Sequence, residues 1–183
     1  QVIDTNADDA RAVYVGDLDG DGDLDIVSAS QSDDTIAWYE NDGAADPSWT
    51  AANISTSANG AYDVKVADMD GDGDLDIVSA SSYDDTIAWY ETNGAADPSW
   101  NAVDIATDVE YVQSVYIADM DGDGDLDILS SSNSDDTHAW YDNDGATNPT
   151  WTLIDIPTNA SAGLDIFAAD MDSDGDLDIV ASA

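Results

Sequence analysis

Apolar residues along this chain recur at every second position in short runs, and no stretch shows the 3.6-residue spacing of an amphipathic helix. Val13 and Val15 alternate with polar or opposite-facing neighbours, as do Val64 and Val66, Val115 and Ile117, and Ile166 and Ala168. Each pair precedes an acidic stretch that runs into "LDIVSAS" or "LDILSSS", rich in β-branched residues. Next comes "DDTIAWYE", with Ile36 and Trp38 on one face and Ala37 and Tyr39 on the other. A fourth alternating run opens at a tryptophan and carries Val103 and Ile105, or Ile154 and Ile156. All are short and bounded by Gly, Asn, Asp or Pro, which predicts strands rather than helices.

The four runs return as a set every 51 residues without insertion. "DLDGDGDLD" begins at Asp17, "DMDGDGDLD" at Asp68 and again at Asp119, and "DMDSDGDLD" at Asp170. Residues 17–49 and 68–100 agree at 28 of 33 positions, so the repetition is internal duplication. Four short antiparallel strands per period is the unit of a β-propeller blade. The pattern therefore predicts an all-β chain of blades, with the acidic loop between the first and second strands of each. Residues 1–6 align with a fourth strand ("QVIDTN" against "ANISTS") and read as the outer strand of a preceding blade. Blades are expected over 7–57, 58–108 and 109–159, and the first half of another over 160–183. Fifteen strands close no propeller cleanly. The ends are expected to be completed by further blades or by copies of the same chain, in a ring or a filament.

Charge changes the picture. The 183 residues carry 42 acidic and 2 basic side chains, a formal net charge of −40. That excludes nucleic-acid backbones, which need Lys and Arg, and anionic membrane surfaces likewise. Six Trp, eight Tyr and 43% hydrophobic residues still argue for a packed core. No cysteine is present, which removes disulfides and thiolate sites. No apolar run reaches membrane-span length, and no signal-peptide pattern opens the chain.

Each acidic loop concentrates the charge. Two aspartates about 4 Å apart repel by ~4 kcal/mol at an effective dielectric of ~20, and Lys65 and Arg11 are too few to compensate. Carboxylates at positions 1, 3, 5 and 9 of D-x-D-G-D-G-x-x-D suit Ca²⁺, a hard ion taking six to eight oxygens. Glycines at positions 4 and 6 let the backbone wrap an ion. The candidate ligands are Asp17, Asp19, Asp21, Asp23 and Asp25; Asp68, Asp70, Asp72, Asp74 and Asp76; Asp119, Asp121, Asp123, Asp125 and Asp127; and Asp170, Asp172, Asp174, Asp176 and Asp178. The seventh-position aspartates contribute a carbonyl, Asp25 and its equivalents close the site bidentately, and Leu24 anchors the loop in the core. An EF-hand fails, because position 12 is Ser28, Ser79, Ser130 or Ala181 and strand follows instead of helix.

The segment "VADMDGDGDLDIVSASSYDDTIAWYETNG" resembles the FG-GAP/VCBS repeat family, whose calcium loops also occur in integrin α-subunit propellers. The Phe-Gly start behind the family name is missing here, so the resemblance rests on the acidic loop and "IAWYEN". It implies calcium-bound blades in an extracellular or cell-surface protein with an adhesion or structural role and no family active site.

The remaining residues fit that reading. Trp38, Trp89 and Trp140 are expected between blades, and Trp49, Trp100 and Trp151 nearer the surface, where a lectin would stack sugars. His138 stands where other repeats have Ile, a substitution rather than a catalytic base. The pairs Asp33–Asp34, Asp84–Asp85 and Asp135–Asp136 read as hairpin turns. Asn53 and Asn159 are N-glycosylation sequons; Asn148 precedes Pro and is not. One His, no Cys and two cations leave little for acid–base or oxyanion chemistry, so an enzyme is not expected. Glycans and surface proteins are the candidate external partners.

Overall fold

The computed structural model describes residues 1–134, 137–157 and 162–182. The first repeat forms β1 (Ala10–Gly16), β2 (Asp25–Ser30), β3 (Thr35–Asn41) and β4 (Trp49–Ser55). The second forms β5 (Ala61–Ala67), β6 (Asp76–Ser81), β7 (Thr86–Thr92) and β8 (Trp100–Ala106). The third forms β9 (Val112–Ala118), β10 (Asp127–Ser132), β11 (His138–Asn143) and β12 (Trp151–Ile156), and the chain ends with β13 (Asp165–Ala169) and β14 (Asp178–Ser182). Each complete repeat is one antiparallel meander of four strands in sequence order, and β13–β14 is a two-stranded remainder. Register is carried over with the repeat. Val13 pairs with Ser28, Val64 with Ser79 and Val115 with Ser130. Likewise Trp38, Trp89 and Trp140 pair with Val27, Val78 and Leu129.

Strand alternation gives every sheet two apolar faces, and successive sheets bury them against each other. Leu18, Val27, Ile36 and Trp38 of the first sheet meet Val64, Val66, Ile77 and Tyr90 of the second. Met69, Val78, Ile87 and Trp89 then meet Val112, Val115, Ile128 and Tyr141 of the third. Leu129 with Trp140 meets Ile166 and Ala168 of the fourth. Each fully buried large side chain contributes about 1.5–3 kcal/mol. The tryptophans expected between sheets are there. Trp100 and Trp151 are half-buried and pack on the same clusters.

The first strands lie against one another in order. The Val115 N–H donates to Asp63 Oδ2 (3.1 Å), and the Ser114 hydroxyl to Asp165 Oδ1 (3.0 Å). At the β2–β3 turn, Asp34 adopts φ +56°; its carbonyl accepts from Ala58 N–H (3.1 Å) and its carboxylate from Gly60 N–H (2.9 Å). Asp85 repeats the contact with Val109 and Tyr111. These hairpin turns therefore stitch each repeat to the next. Asp135, Asp136 and Asn159 lie outside the described residues; Asn53 is exposed on β4.

Residues 1–6 are not paired as a strand here, and no third-strand edge lies beside them. One expectation is corrected. Leu24 is exposed rather than anchored in the core. Its equivalent Leu75 packs back on the first sheet, beside Gly16, where a Cβ would come within 3.2 Å of it. No sheet stands before the first, so Leu24 has nothing to reach.

Candidate metal centre

Each acidic nonapeptide bridges the first and second strands of its sheet, over residues 17–25, 68–76, 119–127 and 170–178. The turn is built from its own aspartates. In the first loop Asp21 N–H donates to Asp19 Oδ1 (3.2 Å), Gly22 N–H to Asp17 Oδ2 (3.0 Å) and Asp23 N–H to Asp21 Oδ1 (2.9 Å). The second loop repeats these bonds. Gly22 has φ +97° and Gly73 +101°, a region that disfavours a Cβ.

The folding brings three carboxylates of each loop to one point. Ligand atoms of Asp17, Asp19 and Asp21 lie within 4.8 Å of one another, as do those of Asp68, Asp70 and Asp72. In the third and fourth loops the trio is Asp119, Asp121 and Asp127, and Asp170, Asp172 and Asp178. Asp123 and Asp174 stand outside these trios, as do Asp25 and Asp76 in the first two loops. The ninth-position carboxylate also accepts from backbone: Asp25 does so from Leu18 N–H (3.2 Å) and Asn41 N–H (2.9 Å). Asp76 does so from Met69 and Thr92, and Asp127 from Met120 and Asn143. In the first three loops the seventh-position side chain turns onto a glycine in the β3–β4 turn or its equivalent. A Cβ on Gly43, Gly94 or Gly145 would overlap the carboxylate of Asp23, Asp74 or Asp125.

The electrostatics are those of a cation site. Burial, together with the charge of neighbouring aspartates, raises the pKa of Asp19 and Asp70 above the usual carboxylate value. Burial pushes Asp76 up to about 6, outweighing the N–H groups of Thr92 and Met69, and raises Asp127 also. The Oδ1 atoms of Asp17 and Asp68 are buried with no hydrogen-bond partner, an arrangement that costs about 1–3 kcal/mol or more for a charged group. Neither cation of the chain relieves it: Lys65 Nζ sits 2.6 Å from Asp63 and Arg11 2.7 Å from Asp9. An all-carboxylate donor set with bare inward oxygens fits a hard divalent ion.

The glycine seats and the Asp34 and Asp85 stitches were not anticipated from the sequence. The signal available was their fixed offset: each seat glycine follows its aspartate by the same interval in three repeats. His138 is buried in β11, and burial lowers its pKa.

A meander of four strands with a carboxylate trap in its first hairpin, duplicated along one chain, defines an acidic-loop β-repeat protein. A model of the FG-GAP-like repeat matches residues 17–79, 68–130 and 119–181, and the chain belongs to that family. No curated protein matches it. Among solved structures, Bacillus licheniformis rhamnogalacturonan lyase PL11 is similar over 96% of this chain, with a TM-score of 0.57 and 16% identity. The match spans 40% of that structure's length, and at this identity the likeness is one of fold.

Proposed function

We propose that this chain is a calcium-stabilised run of β-propeller blades belonging to an extracellular or cell-surface protein, with a structural or adhesive role and no enzymatic activity. The carrying observation is the bare, buried Oδ1 of Asp17 and Asp68 beside two further carboxylates. A bound Ca²⁺ supplies the positive charge that these loops lack. Asp17, Asp19 and Asp21, their equivalents Asp68, Asp70 and Asp72, and in the last two loops Asp119, Asp121 and Asp127, and Asp170, Asp172 and Asp178, would hold it, while Asp25 and Asp76 brace their loops against the third strand. Four cations are expected, one per loop. The extracellular assignment rests on the family, and no helix among the described residues is long and apolar enough to cross a membrane. The non-enzymatic reading rests on a single, buried histidine and two cations already in ion pairs. Isothermal titration of the chelated protein tests the reading: calcium should bind at about four sites, tighter than magnesium, whose octahedral demand suits this loop poorly. Absence of calcium binding overturns it.

A second reading, a carbohydrate-binding module, has one observation in its favour. A cavity of about 370 Å³ opens beside the second loop, lined by Asp72, Glu91, Asn93, Trp100 and Asn101. A half-buried indole with amide and carboxylate groups is a sugar-binding composition, and the structural neighbour is by name a rhamnogalacturonan lyase. A glycan array read with calcium and again with EDTA separates the two readings.

A further inference from the structure

Five of the eight tyrosines have a tyrosine at the same place in another repeat; Tyr62, Tyr83 and Tyr111 do not. Where Tyr62 stands, the other repeats have Arg11, Gln113 and Leu164; where Tyr83 stands, Ser32 and Ser134; where Tyr111 stands, Asp9, Gly60 and Ala162. The same strands form without a ring at those places, so the fold does not require these three. Yet they come together across the junctions between the first three sheets. Tyr83 lies in the β6–β7 turn, Tyr62 near the start of β5 and Tyr111 just before β9. That is the end of the sheets opposite the acidic loops, which join first strands to second ones.

Tyr83 is held from beneath. Its N–H donates to the Asn59 carbonyl (3.0 Å), and the Ser82 N–H to the Gly60 carbonyl (3.0 Å). A Cβ on Gly60 would come within 2.7 Å of the Tyr83 ring, so the ring lies against bare backbone. Tyr111 flanks it, with ring centroids 5.9 Å apart and planes tilted by 42°. Tyr83 nevertheless stays 54% exposed. Tyr62 sits at the register shift between Ala61 and Asp63, and Arg11 at the same shift in β1, where an irregular residue is re-aimed out of the strand's alternation. The Arg11 guanidinium lies 5.4 Å from the centre of the Tyr62 ring and donates to Asp9 Oδ2 (2.7 Å) and Gln31 Oε1 (2.9 Å). The charges of Arg11 and Asp9 both act on the Tyr83 hydroxyl.

We propose that Tyr83, flanked by Tyr62 and Tyr111, is a stacking platform for an uncharged saccharide, with Arg11 and Asp9 as its hydrogen-bonding edge. A pyranose offers a C–H face to an aromatic ring and hydroxyls to polar groups beside it. Arg11 and Asp9 each keep more than a third of their side-chain surface free for such hydroxyls. Two charges decide that the ligand is neutral. An acidic glycan meets a chain of net charge −40 whose cation here is already paired with Asp9. An ammonium group meets Arg11, which already occupies the cation's position over Tyr62. The pinned turn lowers the ordering cost of binding. This inference deepens the adhesive reading above by naming a partner class and rests on that reading. The platform shares no residue with the acidic loops or with the cavity beside Trp100.

An array of neutral and acidic glycans, probed in calcium with the labelled chain, tests the platform. The wild-type chain should bind neutral glycans and leave acidic ones unbound. Two other repeats carry serine at this place, so Tyr83→Ser should keep the wild-type melting temperature and calcium stoichiometry while binding about tenfold more weakly or worse. Tyr83→Phe keeps the ring and should bind nearly as well as the wild type. Tyr62→Gln, which installs the residue of the third repeat, gives a second loss should Tyr83→Ser fail to fold. Absence of binding to any neutral glycan overturns the platform, as does a preference for acidic glycans. Undiminished binding by folded Tyr83→Ser also overturns it, and moves the sugar to another site such as the Trp100 cavity. Calcium binding by the same samples shows in each case that the metal reading stands.

Discussion

The second and fourth acidic loops have the same nonapeptide apart from one residue, yet the chain treats them differently. Asp76 is buried and accepts from Met69 N–H on its own loop and from Thr92 N–H at the end of β7. Its fourth-loop counterpart, Asp178, is exposed and accepts from Met171 N–H. Asp74 is seated on Gly94 in the β7–β8 turn; the sheet of Asp176 ends before any such turn. Position 4 is Gly71 at φ +73° in one loop and Ser173 at +65° in the other. The nine residues are therefore half of a site. The third strand and the turn after it supply the other half.

Chelation is expected to give the largest effect. A site held at a hundredfold over its dissociation constant contributes about 2.7 kcal/mol, so EDTA should lower the melting temperature steeply. Calcium titration should resolve three stronger sites and one weaker; four equal sites would break the comparison. Next comes Asp76→Ala, which strands two N–H groups and should cost about 3 kcal/mol in denaturant unfolding. Asp178→Ala should cost less than about 1 kcal/mol. Gly94→Ala follows, at about 1–3 kcal/mol, from backbone strain and overlap with Asp74.

The pH dependence has a definite sign. The folded-state pKa of Asp76, about 6, lies above the ordinary aspartate value of 3.8, so the folded state holds the proton more tightly than the unfolded one. Metal-free protein should gain stability as pH falls through about 6 toward 4, and Asp76→Asn should lose that gain. With calcium present the trend reverses, since protons compete for the ligands. Ser173→Gly relieves a left-handed residue and should add about 1 kcal/mol, narrowing the gap between the loops. An unchanged melting temperature would show that this strain is not what weakens the fourth site.

Most strands were legible in the sequence because alternation is local: Val64 and Val66 declare a face without reference to any partner. The loops were legible because aspartates in register with glycines, repeated at one interval, concentrate negative charge on a backbone free to curl around a cation. What escaped depended on neighbours. Leu24 and Leu75 share a sequence context but not an environment, because Leu75 has a preceding sheet and Leu24 has none. Residues 1–6 resemble a strand in pattern, yet strand formation needs an edge to bind. Asp34 and Asp85 looked like ordinary turn residues, and their contacts lie 26 positions away, across a repeat boundary.

Those cross-boundary stitches fix how such a gene can change. Every link from Asp34 or Asp85 spans one fixed interval, so duplicating or deleting a whole 51-residue segment leaves each aspartate facing a competent neighbour. Losing a single codon between Asp34 and Gly60 changes that interval, and within β3 or β4 it also turns the residues beyond it to the opposite face of the strand. Whole-repeat steps in length thus preserve every link that a single-residue step disturbs.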